Sequence, residues 1–106
     1  MVEQTRKNIK GDRPETNEIF VGNKPFMKYI IASLMQIKEE KNNSIIIKSR
    51  GKFISKAVDI AEVVKKNLSE KKINVQESIK ISTDEFEDES GRKIHISTMD
   101  ITLLKK

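Results

Sequence analysis

The chain of 106 residues has no cysteine and no tryptophan, one histidine, one tyrosine, four glycines and two prolines. Without cysteine there is no disulfide, no thiolate nucleophile and no Cys-based zinc or iron–sulfur site. The single histidine, His95, stands between Ile94 and Ile96, a placement that reads as an outward-facing strand residue. With no second histidine, a zinc site would need an unusual all-carboxylate ligand set. The glycines at 11, 22, 51 and 91 match neither a dinucleotide fingerprint nor a Walker-type phosphate loop. The acidic stretch Asp84 to Glu89 fails as a calcium loop, because Gly91 is not its sixth position and His95 falls where a bidentate Glu is required. Ser55 and Asp59 lie on adjacent turns of an expected helix with no base beside them. The chain therefore reads as non-enzymatic, with no metal and no cofactor. No apolar run approaches the roughly 18–20 residues of a membrane span, and the opening MVEQTRKNIKGDRP is polar where a signal peptide would be apolar. The expectation is an intracellular protein with no membrane partner.

What is present suits one small domain. Hydrophobic residues make up 36% and charged residues 35%, enough for one two-layer core under an extensively solvated surface. Lys and Arg number 21 against 16 Asp and Glu, a net charge of +5, which by itself is only a mild preference for polyanions. Residues 1–17, with Gly11 and Pro14 and few apolar side chains, read as a flexible polar tail, and 18–106 as the folded domain. Ile19, Phe20 and Val21 form a short β-favouring run, as do Ile45, Ile46 and Ile47; both suggest strands buried on two faces. Met27, Ile30, Ile31, Leu34, Met35 and Ile37 have helical spacing, with Asn23 available as a cap and Pro25 in the first turn. Glu39 to Ser44 is a polar connection. A second helix carries Ile54, Ala57, Val58, Ala61, Val64 and Leu68 on one stripe, with Ser55 as its cap.

Ile73, Val75, Ile79, Ile81 and Thr83 then alternate as a strand, and Ile94, Ile96, Met99, Ile101 and Leu103 continue as another after the turn Ser90–Gly91. The apolar phase slips by one between Ile96 and Met99, which a β-bulge near Ser97–Thr98 would explain. The expected fold is an α+β two-layer sandwich of order β-α-β-α-β-β, with two helices on one face of a four-stranded sheet and a long protruding C-terminal hairpin.

The charges are distributed against a known preference. Helix N-termini already carry about half a positive charge and ordinarily repel cations, yet Lys24 and Lys28 flank the expected start of the first helix. Lys52 and Lys56, beside Arg50 and Gly51, flank that of the second. Because a parallel strand pair places both loops at one sheet end, these lysines and the free backbone amides between them would converge on a phosphate-binding surface. Arg92 and Lys93 follow the hairpin tip and could reach a neighbouring groove, although five acids crowd the six residues before Ser90. Phe86, alone among those acids, reads either as a wedge or as a side chain folded back on the hairpin.

The segments VGNKPFMKYIIA (21–32), IIIKSRGKFISKAVDIAEVVKKNL (45–68) and GRKIHISTMDITLLKK (91–106) together resemble the Alba family of small chromatin and RNA-binding proteins. The resemblance implies a fold similar to the C-terminal domain of bacterial translation initiation factor three. It also implies a homodimer, or a heterodimer with a paralogue, and sequence-independent binding of double-stranded DNA and of RNA. The family's Gly-Lys-Lys-Pro motif corresponds to Gly22, Asn23, Lys24 and Pro25, so that Lys24 matches the second lysine and would be the one open to acetylation and to a deacetylase. Lys48, Ser49, Arg50, Gly51 and Lys52 correspond to a basic segment that contacts nucleic acid. Arg92 would share the minor-groove role of the hairpin arms, and Leu68 stands where many archaeal members place a Phe at a dimer–dimer contact. Nucleic-acid contact is therefore expected at Lys24, Lys28, Arg50, Gly51, Lys52, Lys56 and Arg92, in a chromosome-associated protein that coats or compacts DNA. The alternatives are an RNA-binding subunit or regulator and, further off, a nucleic-acid-cleaving enzyme using a lysine.

Overall fold

The computed structural model describes residues 17–38 and 43–106; of the expected tail over 1–17 and the expected connection from Glu39 to Ser44, residues 1–16 and 39–42 lie outside them, and Ser44 already opens a strand. Asn17, assigned to the tail from sequence, belongs to the fold: its carbonyl accepts a hydrogen bond from the Ile46 amide at 2.9 Å. The elements run β1 (Glu18–Phe20), α1 (Phe26–Lys38), β2 (Ser44–Arg50), a 3-10 turn (Gly51–Phe53), α2 (Ile54–Glu70), β3 (Val75–Glu87) and β4 (Lys93–Lys105). The sheet order is β1-β2-β4-β3, with β1 parallel to β2 and the other pairs antiparallel. This is the expected two-layer α+β fold.

Both helices lie on one face of the sheet, and the core between the layers is built from Ile19, Ile30, Ile37, Ile45, Ile47, Ile60, Val64, Leu68, Ile101 and Leu103, all fully or nearly buried. Helices on only one side correct the expectation of doubly buried strands. Ile19, Ile45 and Ile47 point into the core, whereas Phe20 points to the open face and is 65% exposed. The α1 stripe is narrower than its apolar spacing suggests. Tyr29, Ile30, Ser33, Gln36 and Ile37 face inward, and Met27, Ile31 and Met35 stay exposed. Ser33 is small enough to sit between the layers, and its hydroxyl donates to the Tyr29 carbonyl at 2.7 Å. The helix begins at Phe26, so Pro25 precedes the first turn, its carbonyl accepting from the Lys28 amide at 3.0 Å, and Asn23 lies too far upstream to cap. In α2 the capping position is Phe53, with no side-chain cap, and Ser55 lies inside the first turn.

The expected β-bulge is absent. Strands β3 and β4 pair residue for residue from Val75↔Lys105 to Glu87↔Lys93. The slip in apolar phase is real but has another cause: Met99, Ile101 and Leu103 face the helices, while Ile94 and Ile96 face the opposite side, opposite Phe86 and Asp84. Strand β2 pairs with β4 only from Leu104 to Thr98, so the five pairs from Thr83↔Ser97 to Glu87↔Lys93 extend past it as an arm about 16 Å long at roughly 3.3 Å per residue. Strand β3 is left largely uncovered, with Ile79 53% and Ile81 71% exposed on its helix side.

Candidate nucleic-acid interface

The loop from Gly22 to Pro25 is fixed from below by two side chains. Tyr29, on the first turn of α1, places its hydroxyl as acceptor for the Gly22 amide at 2.8 Å and the Lys24 amide at 3.1 Å. Lys56, on the first turn of α2, donates from Nζ to the Gly22 carbonyl at 2.6 Å and the Lys24 carbonyl at 2.7 Å. Its ammonium also stands 5.1 Å from the centre of the Tyr29 ring. These contacts fasten the first basic loop to the start of the second helix, which brings the two clusters to one end of the molecule. They also revise the roles read from sequence. The Lys56 ammonium is engaged inward, and the Gly22 and Lys24 amides are already bonded and not open to a phosphate. The side chains of Lys24 and Lys28 remain exposed.

The second loop turns at Gly51, whose φ of +51° is a left-handed conformation that costs an L side chain about 1–2 kcal/mol. Space is not the reason for glycine here, because an added Cβ would meet Ile96 Cγ2 at an ordinary 3.5 Å. Lys52, on the 3-10 turn, lies 5.4 Å from the centre of the Phe53 ring. Arg50 ends β2 and approaches Asp84 at the base of the arm, 3.5 Å from Nη1 to Oδ2, both side chains more than half exposed. Such an exposed pair contributes about 0–1 kcal/mol and is easily exchanged for another anion. Lys48 is more committed, 3.2 Å from Asp100 and 3.9 Å from Glu18.

Arg92 is not brought to this end. It sits at the tip of the arm, 79% exposed, with Nε 3.7 Å from Asp88. Asp88 organises the turn by accepting from the Arg92 amide, the Ser90 amide and the Ser90 hydroxyl, all within 2.9 Å. The hydrogen bond from the Arg92 backbone, then that of the Ser90 hydroxyl, holds the Asp88 carboxyl below its ordinary pKa. One of the five tip acids is thus a turn-former. His95 faces Glu85 across the arm, Nδ1 to Oε2 at 3.4 Å. Leu68 is fully buried in the core, which corrects its expected place at a surface contact between dimers. Sequence reasoning missed Tyr29, whose loop contacts appear only once α1 is folded, and took Phe20 for a core residue, which only the single-sided sheet corrects. Among the described residues there is no cluster of His, Cys, Asp and Glu able to hold a metal, and no helix is long and apolar enough to cross a membrane.

Fold and site together define a small two-layer α+β protein whose cationic loops meet at one sheet end. A family model described as Alba matches residues 17–83. The chain is 46% identical over 91 residues to the DNA/RNA-binding protein Alba of Methanocella arvoryzae, covering 85% of this chain and 91% of that protein. It is 41% identical over 90 residues to the DNA/RNA-binding protein Alba of Nanoarchaeum equitans, covering 84% and 98%. Among solved structures, Alba from Thermoplasma volcanium superposes with a TM-score of 0.69 at 39% identity, over 82% of this chain and 98% of that one. The chain belongs to the Alba family.

Proposed function

We propose that this protein is a dimer that binds double-stranded DNA and RNA largely without regard to sequence, and that it coats DNA as a chromosome-associated protein. The observation that carries the reading is the fastening of the Gly22–Pro25 loop to the start of α2 by Lys56, which ties Lys24 and the start of α1 with Lys28 to the end of the sheet where Arg50 and Lys52 turn the chain. All four are long side chains that meet phosphates rather than base edges, so they position a duplex without reading it. Gly51 sets the turn that presents Arg50 and Lys52, and the arm with Arg92 makes a second, weaker contact next to its acids. The matched archaeal relatives are named as DNA/RNA-binding proteins, which supports nucleic acid as the ligand.

Dimerisation is supported by the uncovered helix side of β3, where Ile79 and Ile81 expose apolar surface that a second copy or a paralogue would bury. Lys24 is exposed, so its acetylation, reversed by a deacetylase, would remove one charge from the loop. An electrophoretic titration of wild type and the Lys24→Glu/Arg50→Glu variant on duplex DNA, duplex RNA and structured RNA tests the surface. Eight phosphate contacts from two chains predict a log–log salt slope of about −7 on duplex DNA. The double variant loses most of its affinity; unchanged affinity for all three ligands would refute the assignment.

A further inference from the structure

The sheet face turned away from the helices carries one side chain from each strand in a single cross-strand row: Phe20, Lys48, Asp100 and Lys80. The next row toward the arm is Arg50, Thr98 and Ser82. Together with Lys52 these residues border a groove of roughly 750 Å³. Its charge is four cations against Asp84 and Asp100, and both acids are already met, by Arg50 and Lys48 respectively. At one wall stands the Phe20 ring, 65% exposed, where an apolar group gains nothing from the solvent.

An open aromatic face beside surplus positive charge and hydroxyls is complementary to an unpaired nucleotide. The base covers the ring, the phosphate takes the cations, and the hydroxyls of Thr98 and Ser82, two and three strands from Phe20, lie within reach of the next nucleotide along the strand. From strand spacings, Phe20 and Arg50 have Cα atoms about 8 Å apart, a reach over which one nucleotide can touch both. A duplex cannot use the ring, because its bases are stacked and paired.

We propose that this groove binds single-stranded nucleic acid, with a base stacked on Phe20 and the adjoining phosphate held by Arg50 and Lys52, Arg50 releasing Asp84 as it does so. The site rests on the nucleic-acid reading above and extends it from duplex to unpaired strands. Lys80 screens the far side of the groove, and Ser82 and Thr98 supply donors and acceptors that any base can use. The site therefore selects for an unpaired strand and not for a sequence.

The test uses the full chain, which has no tryptophan, so that Phe20→Trp introduces a unique fluorophore at an exposed position. Single-stranded RNA and DNA oligonucleotides, the same strands with abasic sites, and a duplex are titrated against wild type, Phe20→Ala and Phe20→Trp. The expected result is quenching of the tryptophan by both intact single strands and not by the abasic ones. Phe20→Ala should weaken single-strand binding about tenfold, within the range for loss of one stacked base, and leave duplex affinity unchanged. A wild type that binds no nucleic acid would sink the broader function. A wild type that binds both forms, with Phe20→Ala indistinguishable from it or Phe20→Trp unquenched, would overturn the groove alone. Tryptophan fluorescence that changes with protein concentration in the absence of nucleic acid would mark the face as a contact between copies of the chain, and would equally overturn it.

Discussion

Replacing Lys56 by Met separates a residue that builds the interface from one that touches the ligand. Methionine keeps an unbranched stem against Tyr29 and removes the ammonium, with its bonds to the Gly22 and Lys24 carbonyls at 2.6 and 2.7 Å and its approach to the Tyr29 ring. A hydrogen bond to a charged group contributes about 1.5–3 kcal/mol, and an exposed cation–π contact about 0.5–1 kcal/mol. One of the two bonds is exposed and the other half-buried, so the lower end applies and the expected loss is about 2 kcal/mol. For a chain of this size that is a fall in Tm of roughly 10 °C. Thermal and urea unfolding at fixed protein concentration measure it. The companion assay is the salt dependence of duplex binding. If Lys56 organises the loop, affinity drops a few fold while the log–log slope keeps its value, because no phosphate contact has been removed. If instead Lys56 meets a phosphate, the slope shrinks by about 0.9 per chain and stability stays where it was. That second pattern would refute the inward role argued from the geometry.

Other expectations follow from single contacts. Leu68→Ala should cost about 2–5 kcal/mol in denaturant unfolding, the range for truncating a buried Leu; an unchanged midpoint would return Leu68 to the surface. Ile81→Lys, at a site 71% exposed in one chain, should leave the fold of each chain intact and shift sedimentation toward the monomer; an unaltered dimer would place the contact elsewhere. Asp88 ionises below the ordinary aspartate value of 3.8, so its support of the turn is complete above that value and is lost as pH falls through the lowered one. Its carboxyl resonance should accordingly titrate below 3.8, with the Ser90 and Arg92 amide shifts following it, and a midpoint at or above that value would contradict the turn geometry.

Element order, both helices and the hairpin were legible in the sequence because each rests on local periodicity. The two basic loops were legible as well, since cations at helix starts violate a simple electrostatic preference. What escaped depended on which surfaces the tertiary fold covers. Phe20 and Ile19 have the same β propensity, and nothing local indicates that helices pack on only one side of their strand. The slip between Ile96 and Met99 fits either a bulge or two apolar faces, and pairing alone decides between them. Lys56 reads as a solvated lysine until the loop before α1 is seen to fold over it, a contact across 32 to 34 positions in the chain.

The unbroken pairing of β3 with β4 makes the arm a ruler with a two-residue graduation. Inserting one residue into each strand lengthens the arm by about 3.3 Å and also turns every side chain beyond the insertion to the other face, so that Phe86 and Ile94 would exchange sides with Glu85 and His95. Inserting two restores the facing and adds about 6.6 Å. The distance from the body to Arg92 can therefore be tuned, by evolution or by design, in steps of two residues per strand. Single steps would present an inverted arm.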